Sequence, residues 1–291
     1  MKTIKQIVLS IGAQDDINFL LTNYIPRQTL SRFMGWFSKL EVPLIRDVSI
    51  YMLALFTKLD LSEAKKESFA SLHDCFIREL KEGARTVNRD PSILSCPSDG
   101  IVGACGVIEG TELLQIKGLR YTLDELLRDA NLVETFRNGT YITLRLTAGM
   151  YHRFHAPQNC LVEQVNYIAG DAWNVNPAAL KRVPKLFCKN ERAVIQTRLM
   201  PSGSPITLVP VAAVMVASLR LHFIDILLHL KYKGPEKISC NRRFDKGEEM
   251  GWFQHGSTII IFAPPGFRLA EQIEVGREVR MGEPLMHLPK S

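Results

Sequence analysis

The sequence predicts an α+β protein, a helical N-terminal arm set on a largely antiparallel β-sheet core, and three observations carry that expectation. Apolar residues recur at helical spacing through the first third of the chain. After Pro91 the texture changes to short β-branched runs punctuated by glycine. Those runs are not separated by the alternating long helices that a doubly wound parallel sheet requires. The change of texture puts an expected boundary near residue 88, with a helical, membrane-associating region over 1–88 and a β-rich catalytic domain over 89–291. Of the 291 residues 46% are hydrophobic, enough for a large core.

In the arm, Leu30, Phe33, Met34, Phe37 and Leu40 share one helical face over residues 26–40, and Pro26 stands where a first turn tolerates proline. Arg27, Arg32 and Lys39 flank that face and Trp36 borders it. A cationic amphipathic helix of this kind either lays its stripe on the body of the protein or lies in the headgroup layer of an anionic membrane. A second helix, apolar on most sides, is expected over residues 44–59. The third starts at Ser71 with Asp74 in capping-box position, passes through Phe76, Ile77 and Leu80, and stops at Gly83. Strands are expected at 101–102, 107–108, 141–146, 160–168, 193–199, 206–219 and 258–262, interrupted by one convincing helix at 122–129. The tail, 273–285, reads as two short strands joined by glycine-containing turns.

A formal net charge of +6 and a pI near 9.0 suggest an anionic partner. No Lys/Arg run interleaved with aromatics tracks a nucleic-acid groove, so an anionic membrane surface is the expected partner and nucleic acid is not. The apolar stretch after Lys2 and Lys5 is too short for a good signal peptide, and nowhere do eighteen apolar residues run together, so no span of a bilayer is expected. Six scattered cysteines without a CxxC read as free thiols. GxGxxG and P-loop motifs are absent.

Polar residues accumulate where a β-rich core does not need them. Asp99-Gly100 leads into an apolar strand, and Tyr151-His152-Arg153-Phe154-His155-Ala156-Pro157 carries two histidines. Gly149 and Pro157 bracket that segment and favour an extended or turning conformation, in which His152 and His155 point different ways. A metal pair is therefore not expected, and one histidine as base with the other in a separate role fits better. Gly256-Ser257 stands at the mouth of a β-branched run, with the serine hydroxyl beside a carbonyl unshielded by any Cβ. Asp99, His155 and Ser257 together supply an acid, a base and a nucleophile. Two classes follow: a serine hydrolase acting on an external ester or amide, and a self-processing enzyme whose Ser257 attacks its own Gly256 carbonyl. The hydrolase elbow Gly-x-Ser-x-Gly is absent, and Ser257 enters a strand rather than a helix.

The chain resembles the prokaryotic phosphatidylserine decarboxylase proenzymes over nearly its whole length. The resemblance rests on Leu30-Ser31-Arg32 through Trp36, on Phe76-Ile77-Arg78-Glu79-Leu80-Lys81-Glu82-Gly83-Ala84-Arg85, and on Pro97-Ser98-Asp99-Gly100. It continues through the two-histidine segment, Asn190-Glu191-Arg192, and Lys246-Gly247-Glu248-Glu249-Met250-Gly251 ahead of Gly256-Ser257. It implies self-cleavage between Gly256 and Ser257, giving chains 1–256 and 257–291, with Asp99, His155 and Ser257 as the cleavage triad. It further implies that Ser257 becomes a covalent pyruvoyl group whose Schiff base with phosphatidylserine allows decarboxylation to phosphatidylethanolamine, with no metal or diffusible cofactor. His152 is the implied proton donor, and the implied place is the cytoplasmic face of the cell membrane, peripherally bound; a homodimer is allowed. One departure is His255, where the bacterial motif commonly reads Leu-Gly-Ser-Thr. The competing class is an unprocessed membrane-binding protein that keeps the fold.

Overall fold

The computed structural model describes residues 27–116, 118–214, 218–224, 227–229, 232–254 and 258–289. Helices α1 (Arg27–Phe37), α2 (Pro43–Phe56) and α3 (Leu72–Phe76) form the arm. Next come β1 (Ile93–Ser95), β2 (Gly100–Val107), the paired β3 (Glu112–Ile116) and β4 (Leu119–Thr122), α4 (Leu123–Leu127) and α5 (Ala130–Phe136). The middle holds β5 (Thr140–Arg145), β6 (Arg153–His155), β7 (Cys160–Ile168), α6 (Pro177–Leu180), α7 (Leu186–Lys189), β8 (Arg192–Leu199) and β9 (Pro205–Val211). The remaining described elements are strands: β10 (Ser218–Leu221), β11 (Leu227–His229), β12 (Lys237–Phe244), β13 (Glu249–Phe253), β14 (Thr258–Ala263), β15 (Arg268–Leu269), β16 (Glu278–Val279) and β17 (Pro284–His287).

The expected antiparallel sheet is present, eight strands wide in the order β12-β7-β8-β9-β14-β5-β2-β16, with every neighbouring pair antiparallel. Strand alternation sends successive side chains to opposite faces, and both faces are covered. On β14, Ile259, Ile261 and Ala263 enter one buried cluster while Ile260 and Phe262 enter the other. The first cluster is capped by two smaller sheets, β11-β10-β13-β6 and β1-β17-β15; the second lies under α4 to α7 and the β3-β4 pair. A strand buried on both faces must read as a continuous apolar run, which is why 258–262 was legible as a strand.

The arm is shorter in helix than its sequence suggests. Helix α1 ends at Phe37, and Leu40 lies beyond it; Pro26 falls outside the described residues. The third helix stops at Phe76, after which Leu80 bridges to Ala64, because a short β-bridge there meets backbone groups that the helix would otherwise have satisfied. Ser71 Oγ accepts the Asp74 N–H while the Asp74 carboxylate accepts the Ala70 N–H, a reciprocal cap set one residue early. Between β4 and β8, α5, α6 and α7 add to the single helix expected there, each covering the outer sheet face. The apolar run 206–219 divides into β9 and β10, which belong to different sheets. All six cysteines are free, as their scattered spacing predicts. Among the described residues no helix is long and apolar enough to cross a membrane, and no group of three His, Cys, Asp or Glu side chains is placed to hold a metal ion.

Candidate active site

The histidine segment is an extended edge, and its partner is the strand that runs toward Gly256-Ser257. In β6, His155 pairs with Glu249 of β13 and Arg153 with Trp252, and the Phe253 N–H then donates to the His152 carbonyl at 3.0 Å. Backbone pairing therefore sets His155 against the first residue of β13 and His152 against its last. The chain is next described at Thr258, seated between Arg145 of β5 and Val211 of β9 in the middle of the large sheet. His255, Gly256 and Ser257 fall between these points and lie outside the described residues.

Asp99 is brought to the same place by the backbone. The His155 N–H donates to the Pro97 carbonyl at 2.8 Å and the Ser95 N–H to the Pro157 carbonyl at 2.8 Å, so the 95–99 segment is laced to the histidine segment. Tail residues complete the clamp, with the Met281 N–H on Asp99 Oδ1 at 2.9 Å and the Gly282 N–H on the Cys96 carbonyl at 2.9 Å. The Asp99 carboxylate is held by the fork of Arg85, Nε to Oδ1 at 2.9 Å and Nη2 to Oδ2 at 2.6 Å. Arg85 also reaches Glu63 at 2.7 Å; burial lowers its pKa, but the Asp99 and Glu63 carboxylates outweigh that and raise it on balance.

His155 has both ring nitrogens engaged: Nδ1 with the Gly247 carbonyl and Nε2 with the Tyr151 hydroxyl, each at 2.9 Å. Asp99 therefore acts on His155 through its charge rather than through the direct hydrogen bond of a serine-protease triad. Burial lowers the His155 pKa, opposed by the Gly247 bond, Glu249 and Asp99. The neutral ring, the form a general base needs, is thereby favoured. Gly247 aims its carbonyl at the imidazole with φ of 84°, and a Cβ there would lie 2.7 Å from a methyl of Val87. Only glycine suits a left-handed position so tightly enclosed.

His152 takes a different environment, as the extended conformation predicts. Its ring is fully buried and stacks on Phe76 at 3.9 Å between centroids. The Phe76-Ile77-Arg78 segment docks here in full: Arg153 Nε donates to the Ile77 carbonyl at 2.8 Å and Arg78 Nη2 to the Gly149 carbonyl at 3.0 Å. Phe76 also borders a cavity of about 400 Å³, whose wall includes Met34 and Leu53 of the arm, Arg145 at the end of β5 with residues 146–148 after it, and Ala213 and Val214 after β9. The cavity thus lies beside both strands that flank Thr258. Its far wall, 174–177, is braced by Asn190, whose side chain accepts the Trp173 N–H and donates to the Trp173 and Ala212 carbonyls. Arg192 donates to four backbone carbonyls and is a structural lock. Glu191, held beside Tyr167, is pushed up to about 8 by burial.

Sequence reasoning missed Arg85, Tyr151 and the Gly247 carbonyl as partners of the site. The Tyr151 contact has no sequence signal, since residues i and i+4 of an extended strand lie about 13 Å apart and Tyr151 stands outside β6. Nothing local marks Arg85, whose partner lies fourteen positions away across a loop.

A family model described as phosphatidylserine decarboxylase matches residues 72–287, from the first residue of α3 to the last of β17. The chain is 37% identical over 278 residues to the phosphatidylserine decarboxylase proenzyme of Haemophilus influenzae, covering 90% of this chain and 93% of that one. It is 33% identical to the proenzyme of the same name from Methylococcus capsulatus, over 89% of this chain and 92% of the other. For the Aliivibrio salmonicida proenzyme the identity is also 33%, over 95% and 99%. The matched region takes in the Phe76 that stacks on His152, the Arg85–Asp99 pair, the histidine strand and the clamping tail, and the chain belongs to the phosphatidylserine decarboxylase family.

Proposed function

We propose that the chain is a proenzyme that cuts itself between Gly256 and Ser257 and then decarboxylates phosphatidylserine to phosphatidylethanolamine. The observation that carries this reading is the pairing of β6 with β13: the strand bearing the base is fixed to the strand that leads into Gly256-Ser257. His155 Nε2 takes the Ser257 hydroxyl proton as the oxygen attacks the Gly256 carbonyl, and the peptide bond is exchanged for an ester. The ester is lost by elimination, leaving dehydroalanine, and water then releases ammonia and leaves a pyruvoyl group at position 257. Arg85 fixes the Asp99 carboxylate, whose charge favours the imidazolium formed at His155.

The surroundings suit a small carbonyl group there. The hydroxyl of Thr258, next in sequence, is buried and has no hydrogen-bond partner among the described residues. Once bound to substrate, the pyruvoyl group supplies an electron sink for loss of the carboxylate. The chain's own residues do the rest. The 400 Å³ cavity, lined mostly by apolar side chains, receives the substrate and excludes water, and His152 delivers a proton to the carbon that has lost carbon dioxide. Intact-mass measurement of active protein is expected to find residues 257–291 as a separate chain with a blocked N-terminus. A single unprocessed species in active protein overturns the reading.

The same reading places the protein peripherally on the cytoplasmic face of the cell membrane. Helix α1 divides its apolar residues between two directions, with Met34 turned into the cavity wall and Phe33 and Trp36 exposed, Trp36 by 60%. No residue of the apolar helix α2 is buried, and Leu44 is 74% exposed. Ile50 packs on the small arm cluster of Ala64, Phe69 and Cys75, while the exposed Leu44, Val48, Tyr51 and Met52 suit the headgroup layer, and Leu53 at the foot of the helix lines the cavity. In flotation assays the chain is expected to rise with anionic vesicles, to bind less as salt increases, and to keep a residual component that Leu44→Asp with Tyr51→Asp removes. Equal binding to neutral and anionic vesicles, or no effect of the double substitution, counts against it.

A further inference from the structure

We propose that Tyr151 is a positioning residue for self-cleavage, its phenol holding His155 in the one tautomer whose Nε2 lone pair can take the proton of Ser257. The inference rests on the self-cleavage reading above and goes further into the same site.

The tautomer follows from the donor and acceptor inventory. A backbone carbonyl can only accept, so the 2.9 Å contact with Gly247 requires the ring proton on Nδ1. Nε2 of the neutral ring then carries a lone pair, and the Tyr151 hydroxyl 2.9 Å away must donate to it. Burial pushes the phenol's pKa up, so it stays a protonated donor, and the residue is 4% exposed, which leaves little room for water to compete. Tyr151 stands two residues before β6, and its ring centroid lies 5.7 Å from that of His155. In a serine-protease triad the carboxylate fixes the tautomer by bonding to Nδ1. Here the Gly247 carbonyl occupies that position, Asp99 is committed to Arg85, and the phenol secures the other nitrogen.

The proton accounting is closed. One lone pair accepts one hydrogen, so the Ser257 hydroxyl displaces the phenol from Nε2 as it arrives. The Oγ–H bond breaks, an Nε2–H bond forms, and the freed Oγ electron pair bonds to the Gly256 carbonyl carbon. The phenol oxygen, still adjacent, then accepts from the new Nε2–H. The charged and titratable groups that act on the ring are Arg153 on its own strand, Glu249 on β13, and Asp99 with its Arg85 partner from the β1–β2 connection. None of them is removed by changing Tyr151.

The test is the pH profile of cleavage in Tyr151→Phe, which keeps the ring and removes only the hydroxyl. Pulse-labelled full-length chain from cell-free synthesis is followed on denaturing gels between pH 5 and pH 9, beside the unsubstituted chain, with melting temperatures as the control for folding. Without the donor the imidazolium is less disfavoured, so the acid limb is expected to move up by roughly half a unit to one unit, the scale of one hydrogen bond. Cleavage at pH 6 then slows several-fold while the plateau above pH 8 is kept. A superimposable profile overturns the proposal, and so does equal slowing at every pH, which is what a merely structural role produces. If the unsubstituted chain is uncut at every pH, it is the self-cleavage reading that fails instead.

Discussion

His155→Ala, Asp99→Ala and Asp99→Asn are each expected to leave a single 32.9 kDa band on a denaturing gel, with no carbon dioxide released from phosphatidylserine in detergent micelles. Their loss of activity is a defect of maturation. Asp99→Asn serves as the control for folding, since its amide oxygen can still accept from Arg85. His152→Ala is expected to cut, at least partly, and yet to decarboxylate about 10²-fold or more slowly, the usual contribution of a positioned general acid. Separate surroundings underlie the separate outcomes: His155 is tied to Gly247 and Tyr151, whereas His152 lies against Phe76. If His152→Ala fails to cut while His155→Ala cuts normally, the two roles are reversed; if both cut and turn over normally, neither histidine belongs to the site.

Arg85→Ala is expected to cost more stability than any other single substitution in the arm. The guanidinium is 8% exposed and serves two carboxylates, Asp99 and Glu63. Removing it leaves the buried Asp99 carboxylate with the Met281 N–H as its one remaining hydrogen-bond partner among the described residues. Breaking a buried pair from one side costs about 3–5 kcal/mol, because the remaining charge keeps its desolvation penalty. For a chain of this size that corresponds to a fall in melting temperature on the order of 10 °C. Arg85→Lys should recover part of the loss, since it restores the charge without the fork that grips both oxygens. Calorimetry at pH 7 decides the matter, and a melting temperature within about 2 °C of the parent rules the account out.

Strands β5, β7, β8 and β14 were legible in the sequence because each is an apolar run buried by its neighbours, and burial is what hydrophobic pattern reports. Strands β6, β12 and β13 were not. Arg-Phe-His and Lys-Ile-Ser-Cys-Asn-Arg-Arg-Phe carry too few apolar residues to signal a strand, and β13 lies in a Gly-Glu-Glu-Met-Gly motif that reads as loop. Their conformation is set by the strands they pair with, and that information is spread across the chain. At the site, Asp99 and the two histidines were legible by residue type and by motif. The Arg85–Asp99 pair and the Gly247 carbonyl were not, because one joins positions distant in sequence and the other is a backbone group, which no side chain announces.

Strand β14 is the six-residue keystone between β5 and β9, paired over all six residues with β5 and over Thr258 to Phe262 with β9, and buried on both faces. It begins one residue after the proposed cut, and the tail beyond it supplies the Met281 N–H to Asp99 and the β16 and β17 pairings to β2 and β1. No disulfide ties the two products, since every cysteine is free. The mature enzyme would therefore hold its short chain by pairing and burial alone, in a position it could reach only while still covalently joined. Refolding after denaturation would become a second-order search by a fragment for the centre of a sheet, with the loop-closure advantage of the single chain gone. Cleavage at that bond would make maturation a ratchet: the proenzyme would carry the capacity to fold, and the cut enzyme would keep its shape by the slowness of its unfolding rather than by a reversible equilibrium.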